Sequence, residues 1–212
     1  MPHDDVTVSD LRSGLRVSVA SIAWTVMAST VSIAAGIHAF DLVLVAFGCT
    51  GLLDAAGSTA LVIHFRHSLR HETFSERHER IAFLVVNGGL VVVAVATIAE
   101  SVDRLAAGTH GEGSIVGAIT AAATAVVLSL LARRKLRLGR RIPSQALFAD
   151  GVLSSTGAVL AVVAVVGTVL SGLGAWWADP VAASCVAVGA LGAALVLVRQ
   201  QRQNSREPGR SL

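Results

Sequence analysis

The chain has no tyrosine, only two cysteines and few charges, since Asp, Glu, Lys and Arg make up 15% of its 212 residues. So few charges, gathered between long uncharged runs, exclude an ordinary soluble domain. Aromatic residues amount to 4%, so helices in this chain must pack through small side chains, which Ala, Val, Leu and Gly supply. Cys49 and Cys185 both fall inside apolar runs without CxxC or finger spacing, and read as reduced thiols acting as small hydrophobes. HEXXH and nucleotide-binding loops are absent, no internal repeat stands out, and no constellation of residues supports an enzyme. Nor does an A-x-A-like cleavage site follow the polar opening MPHDDVTVSDLRSGLR, so the first apolar run is expected to serve as an uncleaved insertion signal.

What the chain does have is hydrophobic length. Hydrophobic residues reach 53%, the mean hydropathy is +0.69, and windows long enough to span a bilayer occur six times. They run from Leu15 to Ala39, Leu42 to Arg66, Ile81 to Leu105, Ser114 to Ala132, Ser144 to Leu170 and Trp176 to Val198. The expected fold class is an all-α membrane protein, a six-helix transmembrane bundle over residues 15–198. A polar segment, 1–14, precedes it, and a short basic tail, 199–212, follows, expected to be disordered where Pro208 and Gly209 break it.

Of the 17 basic residues, 16 fall in the N-terminal segment, the second-to-third and fourth-to-fifth connections and the tail; Arg104 alone lies on the other side. The positive-inside rule then puts both termini in the cytoplasm. The pI of about 9.6 reflects this orientation and is no sign of nucleic-acid binding. The opposite side carries Asp41, Glu100, Asp103, Glu112 and Asp179 near helix ends, with His38 and His110, and reads either as a cation-concentrating mouth or as solvated helix ends. Asp179, between Trp177 and Pro180, reads as the cap of an interfacial helix start. The connector HSLRHETFSERHE holds His67, His71 and His78 but reads as a solvated segment of mixed charge.

Asp54 organises the rest. It sits in the middle of the 25-residue run LVLVAFGCTGLLDAAGSTALVIHFR, roughly 18 Å from either end at about 1.5 Å per helical residue. A charge at that depth costs at least about 2.5 kcal/mol, so an intramembrane Asp points to function. The alternative reading is a protonated Asp bonded to a neighbouring helix.

The stretch SQALFADGVLSSTGAVLAVVAVVGTVLSGLGAWWADPVAA, residues 144–183, resembles the cation diffusion facilitator (cation efflux) family, whose fifth helix opens with Ser-x-Ala-Leu-x-Ala-Asp and whose sixth opens with Trp-x-Asp-Pro. GLLDAAGSTALVIHFR is similar to that family's second helix, ESVDRL to the end of its third, and RRKLRLGRRIPSQAL to its approach to the fifth. The resemblance implies a tetrahedral metal site from two residue pairs, each four apart, on the second and fifth helices. The second-helix pair falls on Thr50 and Asp54. The fifth-helix pair falls on Leu153 and Gly157, which offer no side-chain donor, so the nearest substitutes are Asp150, Ser154 and Ser155. The metal-site candidates are therefore Asp54, Thr50, Asp150 and Ser154.

The paired tryptophans, the ERHER segment and the short tail are most similar to a domain-less branch that includes vesicular zinc-binding transmembrane proteins. That likeness implies a divalent cation, zinc above all, as substrate rather than cofactor, and a homodimer. The resulting expectation is a transporter in the cell membrane that moves zinc out of the cytoplasm, with proton exchange at Asp54. Its rivals are a transport-incompetent scaffold or partner subunit and an exporter of small apolar compounds.

Overall fold

The computed structural model describes residues 8–69, 76–109, 111–141 and 145–206, and these form six helices. In chain order they are α1 (Val8–His38), α2 (Leu42–Leu69), α3 (Glu76–Ala107), α4 (Ile115–Arg141), α5 (Gln145–Gly172) and α6 (Ala178–Arg206). No strand occurs among the described residues. Five helices carry a stretch long and apolar enough to cross a membrane: Arg16–His38, Leu42–Thr59, Ile115–Arg137, Gly151–Gly172 and Ala178–Val196. The sixth, α3, has an apolar run from Ile81 whose first side chains lie outside the described residues.

Contacts between helices close a ring. α1 packs on α2 and α4, α4 on α5, and α5 on α2, while α3 and α6 pair with each other and lean on α2, with α6 also touching α5. α2 is thus the hub, meeting α1, α3, α5 and α6. The inward faces follow from helical spacing. On α4, Gly117, Ala121, Thr124, Leu128, Ala132 and Lys135 recur every three or four residues and are all buried. On α1 the buried stripe is polar but small: Ser18, Ser21, Thr25, Ser29 and Ser32. Small residues let backbones approach closely, as the sequence predicts. Along the α3–α6 seam, Ala94, Ala187, Ala190 and Ala194 alternate with Val86 and Leu90. In the ring, Val43, Ala46 and Phe47 meet Ala121, Ala161, Ala164, Ala183 and Val186.

Two boundaries differ from the sequence reading. α1 starts at Val8, inside the segment expected to be merely polar, and α6 continues to Arg206 through most of the expected tail. Both extensions lack Gly and Pro except Gly14, so nothing stops a helix already nucleated in the apolar span from running on. The residues holding Pro208 and Gly209 lie outside the described ones.

The ends of α1, α3 and α5 gather with the starts of α2, α4 and α6. There the Glu112 amide donates to the Ala39 carbonyl (2.9 Å), and Ser171 Oγ donates to the Gly111 carbonyl (2.7 Å). Gly111 is required for this closeness, since a Cβ there would stand 2.7 Å from the Phe40 carbonyl oxygen and 2.8 Å from the Asp41 Cα. Gly113, at φ 72°, turns the chain into α4 in a conformation that only glycine adopts without strain.

Candidate metal site and its polar surroundings

Thr50 and Asp54, one turn apart on α2, share a helix face. Thr50 is buried and its hydroxyl donates to the Ala46 carbonyl (2.7 Å), leaving its oxygen lone pairs as acceptors. Asp54 is half-buried and engaged by a neighbouring group. Ser58, one turn further on, is buried as well. The polar stripe of α2 therefore faces protein on the helix that touches four others.

On α5, the two positions where the family pattern expects ligands are indeed apolar in space. Gly157 lies under α4, where Leu128 Cδ1 would stand 3.1 Å from a Cβ placed on it, and Leu153 is half-buried. Ser154 is buried, but its hydroxyl accepts a hydrogen bond from Lys135 Nζ on α4 (2.9 Å). Asp150 belongs to α5, but its side chain lies outside the described residues. The structure thus places Thr50 and Asp54 on one face and brings Ser154 to a lysine. Among the described residues, no three His, Cys, Asp or Glu side chains converge as a metal cage. His71 lies outside the described residues, as do the side chains of His67 and His78.

Lys135 is the functional-looking residue that sequence reasoning missed. By position it belongs to the basic stretch leading from α4 to α5, yet it is 1% exposed, with its ammonium donating to Ser21 of α1 (3.1 Å) as well as Ser154 of α5, and it makes a further interaction. A buried ammonium must be met by acceptors, and two hydroxyls from two helices do so here. Two signals were available. Lys135 is the single lysine beside sixteen arginines, and it continues the buried stripe of α4 three residues after Ala132.

The reading of Asp179 as the cap of its own helix is corrected. Its carboxylate is wholly buried; Oδ1 accepts from the Val43 amide at the start of α2 (2.7 Å), and Oδ2 accepts from Arg104 Nη1 of α3 (3.1 Å). Asp179 caps α2, because α6 begins packed against it. Arg104 also donates to the Phe40 carbonyl (2.6 Å) and, through Nε, to Glu100 (2.9 Å). Asp41 is likewise wholly buried, with Oδ1 accepting from the Leu44 amide (3.1 Å). Two of the five acids expected at a solvated mouth are therefore interior groups, while Glu100, Asp103 and Glu112 are exposed. His110 lies outside the described residues.

Comparison with known proteins agrees with this architecture. Residues 18–206 match the cation efflux transmembrane domain. The chain is also 25% identical over 179 residues to the manganese efflux system protein MneS of Bacillus subtilis (strain 168), a stretch that takes in 82% of this chain and 62% of that relative. The chain thus spans less than two thirds of the relative's length. With the match running through all six helices, the chain belongs to the cation efflux family, as an integral membrane protein of its transmembrane domain.

Proposed function

We propose that the chain exports a divalent metal cation from the cytoplasm across the cell membrane, as a homodimer, with Asp54 as the charged ligand. One observation carries this reading. Asp54 lies with Thr50 on the protein-facing stripe of α2, the hub of the helix bundle, and an acid within a membrane span marks an ion or proton pathway.

The donor chemistry bears on which ion is carried. Asp54 and Thr50 offer oxygen alone, and waters must complete the shell. Carboxylate, hydroxyl and water suit manganese, whereas zinc favours nitrogen and thiolate ligands. We therefore place manganese ahead of the zinc that the sequence resemblance suggested, in keeping with the name of the relative. A proton displaced from Asp54 as metal binds would supply the exchange that couples transport.

The rival reading, a scaffold without transport, draws on Leu153 and on Leu128 over Gly157, which fill the face where the usual second ligand pair would stand. Metal loading of proteoliposomes separates the two. The native protein should move manganese more readily than zinc, and Asp54→Asn should move neither. Native protein that carries no divalent ion would establish the scaffold, and transport that survives Asp54→Asn would remove Asp54 from the site.

A further inference from the structure

The polar cluster where α2, α5 and α6 meet has one acceptor too many. Asp41 and Asp179 are both wholly buried and stand close enough to repel each other, yet among the described residues a single cation, Arg104 on Asp179, meets the pair. That guanidinium binds Asp179 and the Phe40 carbonyl and is shared with exposed Glu100. Asp41 Oδ1 takes the Leu44 amide, while Asp41 Oδ2, fully covered, receives no hydrogen bond. On α5 the buried Thr168 hydroxyl stands beside Asp41 and favours its charged form. A covered carboxylate oxygen without a donor, next to a second buried carboxylate, is met most cheaply by a proton, while the Thr168 hydroxyl, which carries its own hydrogen, supports only the charged form.

The geometry points to a proton-binding site at Asp41: a proton on Oδ2, in the cluster with Asp179, that holds the start of α2 against α5 and α6. With it, Asp41 becomes a donor as well as an acceptor, and the cluster falls to one negative charge against one positive. Without it, two buried carboxylates face one guanidinium, and α2, which both of them cap, is pushed from α6. The ligand is a proton drawn from the aqueous phase at this end of the bundle; no covalent bond other than O–H forms or breaks.

The described charged groups around the cluster are few. α6 contributes Asp179 and α3 contributes Arg104 with Glu100, while the flanking His38 and Glu112 are exposed and His110 lies outside the described residues. Burial first, and then the Asp179 charge, push the Asp41 carboxyl up to about 6, against a small opposing pull from the Leu44 amide and Thr168. The site is distinct from the candidate metal site, since Asp41 stands just before α2 and thirteen positions ahead of Asp54.

The test uses full-length protein in lipid nanodiscs and infrared difference spectra at pH values either side of about 6. A protonated-carboxyl stretch should appear on the acid side, vanish in Asp41→Asn and persist in Glu112→Gln. In Thr168→Val its midpoint should move to higher pH, because the hydroxyl that helps the anion is gone; this variant also keeps the test open should Asp41→Asn fail to assemble. Absence of the band, its survival in Asp41→Asn, or an unmoved midpoint in Thr168→Val would overturn the proton site. Amide exchange of Val43 and Leu44, corrected for its intrinsic pH dependence, reads the latch. It should quicken as native Asp41 loses its proton and stay constant in Asp41→Asn; constant exchange in both would overturn the latch.

Discussion

The two acidic centres of this bundle are handled in opposite ways. Around Asp41 and Asp179 the charges come from different helices, and each is met by a named donor except at one oxygen. Around Asp54, the acid stands on a hub helix with Thr50 beside it, while the α5 positions that would answer it are Leu153 and Gly157. The first arrangement fixes backbones to one another, since its carboxylates spend their oxygens on the amides that open α2. The second sets a carboxylate opposite two α5 positions that offer no side-chain donor. An acid inside the bundle is thus structural or functional according to what surrounds it, and burial alone does not tell the two apart.

This contrast is open to direct measurement. The largest effect is expected from Arg104→Ala, which strips wholly buried Asp179 of the only cation that meets it among the described residues; breaking such a pair costs about 3–5 kcal/mol. Reversible unfolding in mixed micelles reads it, and a loss under about 1 kcal/mol would show that the cluster is not a structural tie. Next comes pH. The Asp41 carboxyl rises from 3.8 to about 6 on folding, so between those values the folded chain holds a proton that the unfolded chain has released. Stability from this group is complete below about pH 3.8, declines as pH rises through that window, and levels off above about 6. The drop is roughly 3 kcal/mol at most, by linkage at about 1.36 kcal/mol per pKa unit, and is read as the difference between native protein and Asp41→Asn across the same window.

A third expectation sharpens the metal-site side of the comparison. Ser154→Ala removes one acceptor of the Lys135 ammonium and should cost about 1.5–3 kcal/mol of stability, as for a hydrogen bond to a charged group. Manganese binding per folded molecule, followed by calorimetry, should stay unchanged. Weakened binding would return Ser154 to the ligand set. The smallest effect belongs to Glu100→Ala, whose carboxylate is exposed on the outer side of Arg104; it should shift stability by less than about 1 kcal/mol and lose even that at high salt.

Much of the fold was legible because the bilayer constrains it so strongly. Apolar runs of spanning length mark α1, α2, α4, α5 and α6, and the spacing of Thr50 and Asp54 puts them on one face without any knowledge of the partners. What escaped were groups whose environment is set by distant segments. Asp179 lies next to a proline at a helix start, the usual place of a cap, and nothing local reveals that Val43, 136 positions away, takes its oxygen. Asp41 and Asp179 read as solvated helix ends because what covers them lies far along the chain: the Gly111 turn stands against Asp41, and Val43 and Arg104 reach Asp179. The helix ends at Val8 and Arg206 were misjudged for another reason: polar residues end a membrane span but not a helix.

Lys135 also makes the protein its own reporter. It carries the only side-chain amine in the chain, and the folded bundle covers it almost completely. Amine-reactive reagents applied to the folded protein therefore find no lysine on its surface. Acylation of Lys135, located by mass spectrometry, would count the occasions on which α1, α4 and α5 part, with no label introduced and no residue changed.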